Sequence, residues 1–276
     1  MTHTKRNLSV AALILTAAFT WHLVAGSLEP TAPPGPTMKT LDQVEPRIPI
    51  PGTPGRTIAP TLVISQRGSY YLTGDRFCSE RGIKIDSDNV TIDLMGYSLI
   101  GTGSGLEDGI YISSGENVEI RNGTVRGFSK YGIYGFGSVS KNYRIINIRA
   151  TSNGQGGIYL LGSSHLVKDC MVCDNGASAV DSVYGIYTST GATLTGNTVN
   201  NNGASAMQNV YGIRAGFGSV VTGNTACYNG DSAIGKDVYG IYLIGNALVD
   251  QNTAYGNGGT NMSSPTNCTF GVNRAP

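Results

Sequence analysis

The sequence predicts an all-β fold: a solenoid of about seven stacked coils, each built from three short strands. Three observations carry that expectation. Glycine supplies 39 of the 276 residues, about twice its usual share. Charged residues make up only 13% and hydrophobic residues 40%, enough for an ordered core. A Gly-Ile step recurs through the body of the chain at intervals of 23 to 28 residues. Glycine at this density weakens helices, and it lacks the every-third-residue period of collagen.

The chain begins with Lys5 and Arg6, followed by the apolar run LSVAALILTAAFTWHLVAG with small residues near Val24, Ala25 and Gly26. Residues 1–26 read as a secretory signal peptide cleaved near Gly26, with an uncleaved membrane anchor as the alternative. The expected location is secreted, periplasmic or at the cell surface. No later segment is apolar enough to span a bilayer, so no integral membrane domain is expected beyond the signal segment. A net charge of +1 gives no basic surface for a phosphate backbone, so no nucleic-acid partner is expected. Residues 27–60 hold most of the eleven prolines. Proline removes backbone donors and fixes φ, so this stretch reads as an extended linker.

The coils occupy residues 61–262. The recurring isoleucines are Ile83, Ile110, Ile133, Ile158, Ile186, Ile213 and Ile241. A second apolar step follows at Ile120, Ile145, Val167, Leu194, Val221 and Val249, and a third five residues later at Val125, Ala150, Val172, Val199, Ala226 and Ala254. Turn residues stand between these steps: Asn122, Asn197, Asn224 and Asn252 at one bend, Asn153, Asn175, Asn202, Asn229 and Asn257 at another. Asn and Gly suit such places because both tolerate left-handed backbone. One coil alone cannot bury its apolar side, whereas stacked coils bury a continuous aliphatic column. Residues 263–276 are left as a C-terminal tail.

The three-strand coil with Asn-Gly bends resembles the right-handed parallel β-helix proteins of the pectate-lyase-like superfamily, specifically the short repeats of secreted bacterial β-helix proteins. The resemblance covers about residues 61–258. It implies a right-handed parallel β-helix with a saccharide-binding groove along the first strand and its neighbouring loops.

Strand alternation turns the residue after each isoleucine outward. That column reads Lys84, Tyr111, Tyr134, Tyr159, Tyr187, Arg214 and Tyr242. The residue before the isoleucine is glycine in all seven coils, which predicts a bare backbone strip beside a tyrosine row. Tyr131, Tyr184, Tyr211 and Tyr239 lie two residues before the isoleucine, near the incoming bend. A flat apolar face with a polar tip suits a sugar ring. Tyr111, Tyr134, Tyr159, Tyr187, Arg214 and Tyr242 are therefore the ligand-binding candidates, with a polysaccharide or other glycan as partner. The same rings would equally serve as a purely structural ladder. A third reading is an enzyme, a polysaccharide lyase, hydrolase or epimerase acting in the same groove. Its weak catalytic candidates are Asp181, Asp237 and Lys236, on near-copied loops before the first strand. The two aspartates lie two coils apart, about 10 Å, a loose match to an inverting carboxylate pair.

Family catalytic motifs are otherwise missing. The NTD, DD and GHG of polygalacturonases and the DPHD-type cluster of alginate epimerases do not occur. Asp86, Asp88 and Asp93, with Arg81 and Lys84 nearby, come nearest to a calcium site, but alternation or a bend sends them to different faces. No cofactor and no metal ligand are therefore expected, and calcium keeps only weak support. His165 reads as structural. Cys173 and Cys227 occupy equivalent places two coils apart, too far to bridge. No disulfide framework is expected from the five cysteines, though Cys268 could pair locally.

Overall fold

The computed structural model describes residues 47–276 except 106, 114, 235 and 236. The signal peptide, residues 27–46 of the linker and Lys236 lie outside the described residues. The fold is the expected parallel β-solenoid. The first strands of successive coils form a nine-stranded parallel sheet running from Leu62–Ile64 to Thr260–Met262. The isoleucine column stacks in register from Ile83 through Ile110, Ile133, Ile158, Ile186 and Ile213 to Ile241. Leu62 and Met262 add one rung at each end. At about 4.8 Å per rung the sheet is about 40 Å long. The second apolar column pairs from Ile120 to Val249, and the third from Val125 to Ala254. From Ile83 to Ile241, Ile120 to Val249 and Val125 to Ala254 the three columns are fully buried. Among the described residues the one helical element is the 3-10 turn Pro54–Arg56, and no helix is long and apolar enough to cross a membrane.

Both ends of the solenoid extend past the expected boundaries. Arg47–Ile50, placed in the linker by its prolines, is a strand paired in parallel with Gly68–Leu72. Among the described residues it pairs on one side only, so Pro49 can lack a donor on the other. The buried Arg76 donates to the carbonyls of Pro51 (3.0 Å) and Pro60 (2.9 Å), tying this segment down. In the expected tail, Thr269–Phe270 pairs with Leu248–Asp250 and Arg274 bridges to Thr253.

The bends carry the second correction. Left-handed backbone falls one residue before the asparagines of the closing bend, at Ser152, Asp174, Asn201, Tyr228 and Gly256, with φ between 52° and 62°. The asparagines themselves turn inward and form a ladder. Asn153 Nδ2 donates to Asn175 Oδ1 (3.0 Å), and the same bond runs through Asn202, Asn229 and Asn257 to Asn261, each at 2.9 Å. Each Oδ1 also takes the backbone N–H of the preceding ladder residue, and each Nδ2 also reaches a third-strand carbonyl, as from Asn202 to Val172 O (3.0 Å). Asn197, Asn224, Asn252 and Asn273 build a second ladder at the other bend, with steps of 2.9 to 3.0 Å. Asn122 alone fits the expected role, with φ 59° at its own residue.

From Gly132 to Gly240 the glycine column serves the closing-bend ladder, while Gly82 and Gly109 face Phe128. A Cβ on Gly185 would stand 2.5 Å from Val199 Cγ1, 2.5 Å from Gly212 O and 3.0 Å from Asn202 Nδ2. The glycines therefore face the interior, not a ligand, and the expected bare strip does not exist.

Removing a central ladder residue strands several buried groups at once. Asn202→Ala should cost about 2–4 kcal/mol in chemical denaturation. Asn257→Ala, at the half-buried end of the ladder, should cost about 1 kcal/mol. Equal small losses at both positions would mean that the ladder contributes little to stability.

Candidate functional site

Because the glycines turn inward, the side chains on either side of the Gly-Ile step both turn out. The first sheet thus presents two columns. One is Lys84, Tyr111, Tyr134, Tyr159, Tyr187, Arg214 and Tyr242, paired in register and half-buried throughout. The other is Arg81, Asp108, Tyr131, Gly156, Tyr184, Tyr211 and Tyr239. In the second column Tyr184 stacks on Tyr211 at 5.3 Å and 7°, and Tyr211 on Tyr239 at 5.9 Å and 3°. These parallel rings support the first column edge-on. Tyr187 meets Tyr184 at 5.3 Å and 76°, and Tyr242 meets Tyr239 at 4.8 Å and 61°.

Within the first column the rings vary. Tyr159 and Tyr187 stack closely (4.2 Å, 9°), whereas Tyr134 is tilted 40° to Tyr111 and 57° to Tyr159. The exposed Phe136 lies 6.2 Å from Tyr134 and widens the aromatic surface. Arg214 lies over Tyr187 at 4.9 Å and over Tyr211 and Tyr242 at 5.8 Å each. All six candidate ligand residues therefore share one continuous face. Burial and neighbouring tyrosines raise the phenols of Tyr131 and Tyr159, which remain neutral donors at physiological pH.

One end of this face is charged. Arg81 lies over the Tyr111 ring at 4.3 Å and pairs with Glu107 at 2.7 Å. Its guanidinium also comes within 4.0 Å of Asp108, which is buried and accepts the Tyr131 N–H at 3.1 Å. Burial pushes the Asp108 carboxyl up to about 6, outweighing the Tyr131 N–H and Arg81. The tyrosines of this column give it its visible pattern in the sequence, and Asp108 does not share it. Reading every residue two places before the isoleucine brings Arg81 and Asp108 into line with Tyr131.

The other sequence candidates are dispersed. Val183, Val210 and Val238 pair, so Asp237 stacks over Asn209, whose Nδ2 it accepts at 3.4 Å, while Asp181 lies one register place further out. Asp86 pairs with Lys84 at 2.7 Å and takes a hydrogen bond from Ser113 Oγ. Asp88 accepts the Glu116 N–H at 2.8 Å. Asp93 holds Arg121 Nε at 2.9 Å and the Met95 N–H at 2.9 Å. The structure does not gather these three carboxylates. His165 is buried, accepts the Tyr143 N–H on Nδ1 (3.1 Å), donates from Nε2 to Leu161 O (2.8 Å) and stacks on Tyr143. All five cysteines are free. Burial pushes the Cys78 thiol up to about 11 and that of Cys170 up to about 12, which leaves both unreactive. Cys268 Sγ accepts the Ala247 N–H at 3.4 Å.

The sequence profile of the right-handed β-helix region matches residues 82–275, and the chain belongs to that family. Among solved structures, the chain is similar to the A-module of the Azotobacter vinelandii mannuronan C-5 epimerase AlgE4, at 13% identity and a TM-score of 0.36, over 84% of this chain and 88% of that one. The A-module of AlgE6 from the same organism is similar at 14% identity and a TM-score of 0.35, over 83% and 81%. A search of curated protein sequences returns no match. The family match, and not these distant likenesses, identifies the chain.

Asp108 makes stability depend on pH. Its raised pKa means that the folded state holds the proton more tightly than the unfolded chain. The resulting stability is present below the ordinary carboxyl value near 4 and is lost as pH rises through about 6. Asp108→Asn should therefore gain on the wild type between pH 4 and pH 7, by roughly 2 kcal/mol. Thermal unfolding of both proteins across that range reads the difference, and a flat difference would place the carboxyl at its ordinary pKa.

Proposed function

We propose that this is a secreted or cell-surface β-helix protein that binds polysaccharide along the tyrosine face of its first sheet. The observation that carries the reading is the pair of aromatic columns. One holds the parallel stack of Tyr184, Tyr211 and Tyr239 and supports the other, which is half-buried, tilted around Tyr134 and stacked at Tyr159 and Tyr187. A purely structural ladder is complete with the parallel stack of Tyr184, Tyr211 and Tyr239. The second column adds amphipathic rings over several rungs, each with a flat apolar body and a polar hydroxyl. Rung spacing near 4.8 Å is close to the length of one sugar unit, so successive rings can meet successive residues of an extended chain.

Asp108 favours a second reading. A buried carboxyl raised to about 6, beside Arg81 and the tyrosines, has the properties of a general acid or base. A lyase, hydrolase or epimerase would place its reacting sugar at that end. This reading requires unsaturated, shortened or epimerised products from some polysaccharide, lost in Asp108→Asn. A broad screen without turnover, with and without calcium, would remove it.

For the binding reading, Tyr159→Ala with Tyr187→Ala should weaken retention in polysaccharide-containing native gels by about tenfold or more. Circular dichroism should show the coils intact. Unchanged retention together with lowered stability would leave only the structural ladder.

A further inference from the structure

The two outward columns contain three cations: Arg81, Lys84 and Arg214. Two are neutralised within the protein. Arg81 pairs with Glu107 at 2.7 Å and Lys84 with Asp86 at 2.7 Å. Arg214 differs. Its guanidinium contacts only rings, those of Tyr187, Tyr211 and Tyr242, and no described residue accepts a hydrogen bond or forms an ion pair with it. It also interrupts the tyrosines, because the repeat that reads YGIY in the coils before and after reads YGIR here.

A guanidinium laid against aromatic faces is fixed in orientation, and its N–H edge stays free to donate. Such a fork matches an oxyanion, which it can bind through two parallel hydrogen bonds. We infer that Arg214 is an anion subsite within the tyrosine face, and that the bound polysaccharide carries an acidic group, a carboxylate or a sulfate ester, at the sugar over that rung. The inference rests on the polysaccharide reading of this face and adds to it the charge of the ligand and the place where that charge is read. The opposite end of the row contributes no comparable site, since its cations already hold carboxylates. The acidic group is therefore recognised toward the C-terminal coils.

The test uses the full chain in native gels containing polygalacturonate, dextran sulfate or neutral dextran, at about physiological salt so that general charge attraction is screened. The wild type should be retained by at least one acidic polymer more than by dextran, and which one distinguishes carboxylate from sulfate. Arg214→Gln should lose about tenfold in apparent affinity for that polymer and less toward dextran, so that the preference for the acidic polymer falls. Arg214→Lys keeps the charge but not the fork, and should recover part of the loss. Thermal unfolding shows whether each variant keeps its coils, and the lysine variant retains the test if the glutamine variant does not fold. Equal retention by acidic and neutral polymers, unaffected by Arg214→Gln, would overturn the anion subsite and leave the glycan surface standing. Retention by none of the three would overturn both.

Discussion

The asparagine ladders are the constraint from which the rest of the coil follows. A three-strand coil must turn three times, and every turn takes backbone donors and acceptors out of the sheet hydrogen bonding. Buried and unpaired, those groups would cost more than the aliphatic column returns. An inward asparagine resolves this because its amide carries an acceptor and two donors on one short arm. Asn202 uses all of them: it takes the N–H and Nδ2 of Asn175, and gives to Asn229 and to the carbonyl of Val172. The ladder therefore ties each coil to the next and each bend to the strand before it. It stops where a coil offers another solution. Before Asn153 the place is taken by Phe128, whose N–H still donates to Asn153 Oδ1 at 3.1 Å.

The ladder also dictates the outer surface. An inward amide, or Phe128 where the ladder has ended, needs room against the first strand, and only glycine leaves it. With glycine and isoleucine both turned in, strict alternation fails for one step, and the residues flanking the pair both turn out. Two adjacent outward columns arise where an ordinary strand would supply one. Their closeness lets Tyr184 and Tyr211 brace Tyr187 and Tyr242, and lets Arg214 touch three rings. The candidate site is thus a consequence of how the interior is closed.

Register was legible in the sequence because parallel in-register stacking places like on like. Ile83 to Ile241, Ile120 to Val249 and Val125 to Ala254 could each be aligned by eye, and each alignment is a column of pairs in the structure. What the asparagines do was not legible. Asn-Gly reads as a turn dipeptide, and nothing local distinguishes an asparagine that bends the chain, such as Asn122, from one that lines the core, such as Asn202. An asparagine read as a bend leaves the glycine column without an inward partner, so that the column reads as a bare outer strip. The N-terminal boundary slipped for a related reason. Proline argues against a central strand but not against an edge strand, which is what Arg47–Ile50 is. Asp108 was hidden by its neighbours, since a column is noticed by its common residue and not by its exceptions.

Those exceptions are where the face is informative. Identical residues in stacked coils gain from stacking whatever else they do, because each tyrosine finds a like neighbour above or below. A residue that breaks the run gives up that neighbour and must be explained otherwise. Asp108 breaks its column at the charged end, where Arg81 and Tyr131 surround it. Arg214 breaks its column amid rings that offer it no acid. Coil stability by itself favours tyrosine at both places, since tyrosine would extend the stack without burying a carboxyl or leaving a cation unpaired. Asp108 and Arg214 are therefore departures from the repeat that stacking leaves unexplained, and the proposals for this face turn on them.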